Sequence, residues 1–144
     1  MTIGLLALTV AAIFTGAAIY VNVAEQPARL LLDDRALLAE WKPSYKRGAA
    51  MQASLALVGC LLGLIAWWQT PQAGFLIGAI AMIAPWPWTL LGIKPTNDAL
   101  LATEPEKAGP PTRALVVKWG ALHAVRTALG VLATVVFLWA CMSR

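Results

Sequence analysis

Two side chains with useful chemistry lie inside a stretch of sequence that is otherwise apolar. His123 is the only histidine of the chain, and Arg126 follows it by three residues. Histidine exchanges protons near neutral pH, and arginine stabilises negative charge that develops on oxygen. Both side chains are costly to bury in an apolar environment, so such a pair is a functional candidate by default. The pair therefore predicts a functional site in this stretch.

This stretch is the last of four apolar stretches, each about 20 residues long, which is the length at which a helix crosses a hydrocarbon layer. Hydrophobic residues make up 60% of the chain and charged residues 12%, against about 25% charged in soluble domains. The sequence predicts an all-α membrane protein, a single domain of residues 1–144 with four transmembrane helices in a bundle. Because no basic segment precedes the first stretch, we expect a retained helix and not a signal peptide. The predicted spans are roughly residues 3–23, 49–68, 75–93 and 115–142.

The charged residues between these stretches predict the orientation in the membrane. All except Arg126 and Arg144 lie in residues 25–47 and 94–118. Both segments follow an odd number of crossings and carry many Lys and Arg residues, which places them in the cytoplasm and both termini outside. Acidic residues are interleaved with the basic ones, which argues against nucleic-acid binding and for contact with the bilayer. We expect a multi-pass protein of a bacterial inner membrane, with lipid as a partner and no nucleic acid.

The first charged segment is expected to be partly helical. Pro27 interrupts the end of the first span, and residues 28–41 then show the pattern of an amphipathic helix lying on the cytoplasmic interface. Trp41, Tyr45 and Trp119 are predicted to be interfacial aromatic residues. The second charged segment contains several prolines, which predict a loop.

The small residues and the cysteines of the spans indicate how the helices pack. Gly59-x-x-x-Gly63 and Gly74-x-x-x-Gly78 allow helices to approach closely, which favours packing inside the bundle and leaves homo-oligomerisation open. Cys60 and Cys141 lie at different depths in their spans. We therefore expect two free packing residues and no disulfide.

The face of the fourth helix that carries the two candidates also carries a tryptophan. Trp119, His123 and Arg126 recur at i, i+4 and i+7 and so lie on one side of the helix. Arg126 could instead extend back to the cytoplasmic interface, because helical side chains lean toward the N-terminus. That alternative does not account for a histidine on the same face.

Two other spans supply polar groups at the matching depth. Asn22, Glu25 and Arg29 lie near the end of the first span, where Glu25 is the expected counter-ion for Arg126 or hydrogen-bond partner for His123. A structural ion pair between spans is the alternative, although buried pairs often add little net stability. The third span ends in a proline-rich stretch whose irregular backbone requires a protein-lined or water-lined cavity. The polar groups are therefore predicted to converge in the cytoplasmic half of the bundle.

Several segments together carry a resemblance to a known family. The sequence resembles the anthrone oxygenase-like family of small four-helix membrane proteins, of which only a fungal branch is tied to anthrone oxidation. The resemblance implies oxidation of an anthrone methylene to the anthraquinone carbonyl with dioxygen. The segments that carry it are Gly16–Tyr20, Glu25–Arg29, Trp41–Tyr45, Pro87–Thr89, Ile93–Asn97 and Trp119–Arg126.

The resemblance also implies roles for individual residues, without a cofactor. His123 would remove a proton from the methylene, Arg126 would stabilise the enolate and the peroxide, and Glu25 would orient His123. Asn97 would hydrogen-bond the substrate carbonyl. Two tryptophans among the predicted substrate-binding residues would stack on a flat aromatic ring. Those residues are Asn22, Arg29, Trp88, Thr89 and Trp119.

Other functions stay open on the sequence alone. His123, Glu25 and Asn97 could bind iron or copper, or the histidine alone could bind haem. The protein could also be non-catalytic and bind a lipophilic small molecule or a partner protein. Cofactor-free chemistry is favoured, because the chain has one histidine and two cysteines at different depths.

Overall fold

The computed structural model describes residues 2–143, which are helical apart from short connections. Four helices follow one another along the chain, and each is long and apolar enough to cross a membrane. The predicted all-α membrane bundle is therefore confirmed, and every helix extends beyond the apolar stretch that predicts it. The helices are α1 (Thr2–Arg29), α2 (Asp34–Gln69), α3 (Ala73–Ala102) and α4 (Pro110–Met142).

Glycines allow the helices to pack closely inside the bundle. Successive helices run antiparallel, and α1 and α3 both lie between α2 and α4. A Cβ atom on Gly63 would lie 2.7 Å from the ring of Phe137, and one on Gly78 would meet the same ring. The Gly-x-x-x-Gly pairs thus face neighbouring helices of the same chain, which confirms the internal-packing interpretation.

The two charged connections lie at the same end of the bundle, called here the charged end. Arg113 donates from Nη1 to the carbonyl oxygen of Leu30 at 2.8 Å and pairs through Nε with Asp34 at 2.6 Å. Lys42 donates to the carbonyl oxygen of Leu101 at 3.0 Å. The last carbonyl groups of a helix have no partner within it, so these cations complete the C-terminal ends of α1 and α3.

The separate interfacial helix expected over residues 28–41 does not form. Only residues 30–33 connect α1 to α2, and the rest of that segment belongs to the two long helices. Leu37, Leu38 and Trp41 are fully buried in a cluster with residues of α3 and α4. The segment is amphipathic, but its apolar face packs against other helices instead of lipid, because α2 begins at Asp34, well before its apolar stretch.

The second charged segment contains less loop than its prolines predict. α3 continues through Pro85, Pro87 and Pro95, and residues 103–109 connect it to α4. A single turn of 3₁₀-helix, Pro105–Lys107, lies in that connection. Proline is tolerated within such a helix when neighbouring groups satisfy the backbone carbonyls that it leaves free.

Two wide turns interrupt the regular helices α1 and α3 in the half of the bundle toward the charged end. Val21–Glu25 in α1 and Thr89–Ile93 in α3 form π-helical turns, each closed by a backbone bond from the following residue to the first residue of the turn. A proline lies at the second position after each turn, Pro27 or Pro95. An extra residue in a turn rotates the later residues of the helix by about 100° relative to a regular helix. The π turns therefore decide which side chains of α1 and α3 face the interior.

Candidate functional site

A small central cavity lies toward the charged end, where all four helices meet. Its volume is about 40 Å³, which is room for about one or two water molecules. The residues predicted to be catalytic all line it: Glu25 from α1, Asn97 from α3, and His123 and Arg126 from α4. The structure therefore brings these four residues to one place.

Asn22 of α1 holds the imidazole of His123. Nδ1 of His123 lies 2.8 Å from Oδ1 of Asn22, and Nδ2 of Asn22 donates to the carbonyl oxygen of Gly120 at 2.9 Å. Because that carbonyl only accepts, the amide nitrogen must face it and the amide oxygen must face the imidazole. Thr127 donates a second hydrogen bond to the same amide oxygen at 2.7 Å.

This arrangement decides which ring nitrogen of His123 carries the proton. An amide oxygen accepts hydrogen bonds, so Nδ1 is the protonated nitrogen. Nε2 keeps its lone pair, in a ring that is 4% exposed and lines the central cavity. Catalytic triads use the same device, in which a group bound to Nδ1 orients the base. The geometry thus supplies a base with a defined direction.

Neutral oxygens from two other helices hold the guanidinium of Arg126. Nη1 donates to Oγ1 of Thr89 at 3.2 Å, and Nη2 donates to Oε1 of Gln52 at 3.1 Å. Arg126 is 7% exposed, so it does not extend back to the interface. Its Nε is buried and has no acceptor among the residues described. A buried cation with a donor to spare is suited to an anionic oxygen.

Glu25 does not take the partners that the sequence predicts for it. It pairs with Arg29 and accepts a hydrogen bond from Ser44. Arg29 also pairs through Nε with Glu40 at 2.9 Å, and its side chain is 1% exposed. The expected pairing of Glu25 with the α4 residues is therefore corrected: the cation one turn along α1 binds it instead, since residues at i and i+4 are neighbours on a helix.

The aromatic residues predicted at the membrane interface form a stack beside the cavity. Trp119 is 6% exposed, and its ring centroid lies 5.1 Å from that of His123. Trp41 meets Trp119 edge-on at 5.8 Å, and Tyr45 stacks on Trp41 at 4.8 Å. The interfacial interpretation is therefore wrong for Trp41 and Trp119, because both positions lie where the helix ends pack together.

The remaining predicted residues lie in different surroundings. Asn97 is 2% exposed, and its Oδ1 has no hydrogen-bond donor within residues 2–143. Trp88 donates from Nε1 to the carbonyl oxygen of Leu122 at 3.0 Å and lines an outer groove. Trp88 is therefore not placed to stack on a ring in the central cavity. The hydroxyl of Thr89 accepts a hydrogen bond from Arg126, so Thr89 would affect a substrate only through Arg126.

Sequence reasoning missed the residues that α2 contributes. Gln52 is 2% exposed and binds Arg126, and Ser44 and Tyr45 line the cavity. An amide inside an apolar stretch was a usable signal for Gln52, because polar groups in a span need partners. Ser44 and Tyr45 lie in a charged segment, and the sequence predicts Tyr45 only as an interfacial aromatic residue.

Not all of the residues that the sequence offers as metal ligands are free to bind a metal. Among residues 2–143, no three His, Cys, Asp or Glu side chains lie together as a metal-binding group. The carboxylate of Glu25 is occupied by Arg29 and Ser44.

Comparisons with known proteins agree with the resemblance. The model of the anthrone oxygenase family matches residues 41–136. The anthrone oxygenase tpcL of Aspergillus fumigatus is 33% identical over 110 residues, covering 71% of this chain and 68% of that protein. An anthrone oxygenase of Claviceps purpurea is 30% identical over 107 residues, covering 65% of this chain and 60% of that protein. No solved structure matches.

Proposed function

Because the chain belongs to the anthrone oxygenase family, we propose that it is a membrane-embedded oxygenase for a lipophilic aromatic substrate, anthrone-like or quinol-like. The central cavity is its active site, and the charged end faces the cytoplasm. The observation that carries this proposal is the bond between His123 and Asn22, which leaves a basic nitrogen in the same cavity as Arg126.

The proposed reaction needs a base and an anion-binding group. Nε2 of His123 removes a proton from the activated methylene, and the guanidinium of Arg126 stabilises the enolate oxygen. The carbanion transfers an electron to dioxygen, and the two radicals combine to form a carbon–oxygen bond and a peroxide. The imidazolium returns its proton to the peroxide. Loss of the second methylene proton with the distal hydroxide releases water and leaves the ketone.

Two further residues are proposed to position the substrate. Asn97 presents an amide to the cavity and would hydrogen-bond a substrate oxygen, and Trp119 offers an aromatic face beside His123. The cavity of about 40 Å³ is far smaller than ligand pockets of about 300–1,000 Å³. A ring system can therefore bind only when the surrounding helices move apart.

We propose that the protein works without a resident metal, because the carboxylate of Glu25 is already paired with Arg29. Metal analysis and an absorption spectrum of the purified protein test this point. A metal or haem present in a one-to-one ratio in the wild type and lost in His123→Ala would make His123 a ligand and overturn the base mechanism.

Turnover in nanodiscs tests the proposed function. Oxygen uptake and anthraquinone absorbance are followed with a panel of anthrones and quinols, with empty nanodiscs to correct for spontaneous oxidation. We expect His123→Ala to lower kcat by about 10²–10⁴ and Arg126→Gln by about 10²–10³. Gln69→Ala, at the opposite end of α2, serves as the control and should keep wild-type turnover.

Two results would contradict the proposal. Undiminished turnover in His123→Ala would remove the base mechanism. If no compound of the panel is oxidised, but anthraquinone binds and His123→Ala weakens its affinity, the protein is a non-catalytic binder of lipophilic molecules.

A further inference from the structure

A second cavity opens on the side of the bundle between α2 and α3, and is called here the side pocket. Its volume is about 130 Å³. Ala49 and Ala53 of α2 and Trp86 and Leu90 of α3 line it, and Arg126 lies at its inner end. Leu90 is 57% exposed and belongs to the apolar stretch of α3. The side pocket therefore opens toward the hydrocarbon layer.

Arg126 separates the side pocket from the central cavity, because both Arg126 and Ala49 line the two spaces. Its Nη groups are bound to Thr89 and Gln52, but its Nε has no acceptor in the part of the chain that the structure describes. A buried donor without a partner is costly. A ligand oxygen beside Arg126 would remove that cost.

The shape of the side pocket suits a flat ring. The indole of Trp86 forms part of the α3 wall. On the α2 wall, the small side chains of the two alanines leave room for a ring. The indole is held in place, because its Nε1 donates to the carbonyl oxygen of Ala53 at 3.3 Å. Aromatic rings stack on such a fixed face in offset or edge-on geometry.

The α3 wall of the side pocket is also loosely bonded. Pro85 and Pro87 have no backbone N–H to donate, and the π turn Thr89–Ile93 follows directly. Fewer backbone hydrogen bonds therefore hold this part of α3 in a regular helix.

The charged end offers a poorer route for an apolar molecule. Glu25, Arg29, Glu40 and Ser44 form one network at the edge of the central cavity. Breaking a buried ion pair leaves an uncompensated charge, which is strongly unfavourable. An apolar ring system dissolves in hydrocarbon instead of water, so it reaches the protein from the side.

We infer that the side pocket is the entry and binding site for an aromatic ring of a fused-ring aromatic ketone that comes from the bilayer. The ring lies against Trp86, and the ketone oxygen accepts a hydrogen bond from Nε of Arg126. The identity of this ligand rests on the proposed function, whereas the location of the site rests on the cavity and on the unpartnered guanidinium donor.

Filling the side pocket tests this inference. Ala53→Leu fills it from α2, and Leu90→Trp covers its mouth from a position that is largely exposed. Ala50→Leu adds the same volume as Ala53→Leu at an exposed position of α2 outside the pocket. Anthraquinone, an unreactive fused-ring ketone, is delivered from vesicles to protein in nanodiscs, and its association is followed by quenching of tryptophan fluorescence. The kcat and KM for anthrone are measured in parallel.

We expect both filling variants to slow association by about tenfold or more and to lower kcat/KM by a similar factor. Ala50→Leu lies outside the pocket and should match wild type in association, kcat and KM. Turnover with unchanged association in both filling variants would overturn the side entry and leave the proposed function standing. Slowed association without turnover in the wild type would support the side pocket and overturn the oxygenase. Absence of both quenching and turnover would overturn both.

Discussion

At the scale of single residues, a neutral amide orients the imidazole of His123, as a carboxylate does in many histidine sites. Oδ1 of Asn22 accepts from Nδ1 of His123 at 2.8 Å, and its own orientation is set by the carbonyl oxygen of Gly120. An amide orients the imidazole without adding a negative charge next to it. The negative charge that develops on a bound substrate is then free to interact with Arg126.

The tautomer of His123 can be measured directly, because the chain has one histidine. Nitrogen-15 NMR of histidine-labelled protein in nanodiscs should show a protonated Nδ1 and an unprotonated Nε2. We expect Asn22→Leu to lose this tautomer and to lower kcat by about 10², since Nε2 would no longer be held as the base.

Asn22→Asp is the matched variant for this measurement. Its carboxylate oxygen can accept from Nδ1, so it should restore the tautomer, whereas its second oxygen meets the carbonyl oxygen of Gly120 without a proton to donate, which should lower stability. A wild-type spectrum with the proton on Nε2 would contradict the assigned orientation of the Asn22 amide.

At the scale of helices, the π turns and the glycines set how α1 and α3 meet their neighbours. The residues Asn22 and Glu25 both lie in the π turn Val21–Glu25, and Thr89 begins the second one. Regular helix through these positions would rotate the later residues by about 100°. Site residues of α1 and α3 thus lie in the irregular turns themselves, which is consistent with the frequent occurrence of such turns at functional sites.

The glycines make a prediction about stability. Gly78→Ala should lower the free energy of unfolding by about 1–3 kcal/mol, because the new Cβ would meet the buried ring of Phe137. Gly16→Ala is the control, since nothing lies within 4 Å of a Cβ at that position. Thermal unfolding in mild detergent measures both variants.

Gly16→Ala should be neutral or stabilising by up to about 1 kcal/mol, as alanine is the better helix former. Equal changes of stability in Gly16→Ala and Gly78→Ala would contradict the close packing of Gly78 against Phe137.

At the scale of the whole molecule, charge divides the bundle into two ends. The charged end is tied together by Arg113, which binds Asp34 and Leu30 and so joins α4 to α1 and α2. A second ion pair, between Arg35 and Glu106 at 3.1 Å, joins exposed side chains and contributes little to stability. The opposite end carries a short turn without charge, Thr70–Gln72.

This asymmetry predicts the orientation in the membrane. In a variant with Cys60 and Cys141 replaced by serine, Glu106→Cys and Gln69→Cys place one thiol at each end. A membrane-impermeant maleimide applied to intact bacterial cells should label Gln69→Cys, and Glu106→Cys only after the membrane is permeabilised. The reverse pattern would place the charged end outside.

The four spans, the charged end, the family and the four cavity residues Glu25, Asn97, His123 and Arg126 could be predicted from the sequence. Those features depend on local composition and on helical spacing, which put Trp119, His123 and Arg126 on one face. The ends of the helices could not be predicted from the apolar stretches. Tertiary packing of Leu37 and Trp41 keeps charged sequence helical beyond them.

Which polar groups bind each other follows from the tertiary structure and not from the sequence pattern. Asn22 and not Glu25 binds His123, and Gln52 binds Arg126. Partner choice depends on the geometry of α1 at its π turn and on the side chains that neighbouring helices present to α4. The periodicity of one segment encodes neither of these features. Both are fixed only when the helices pack closely in the folded bundle.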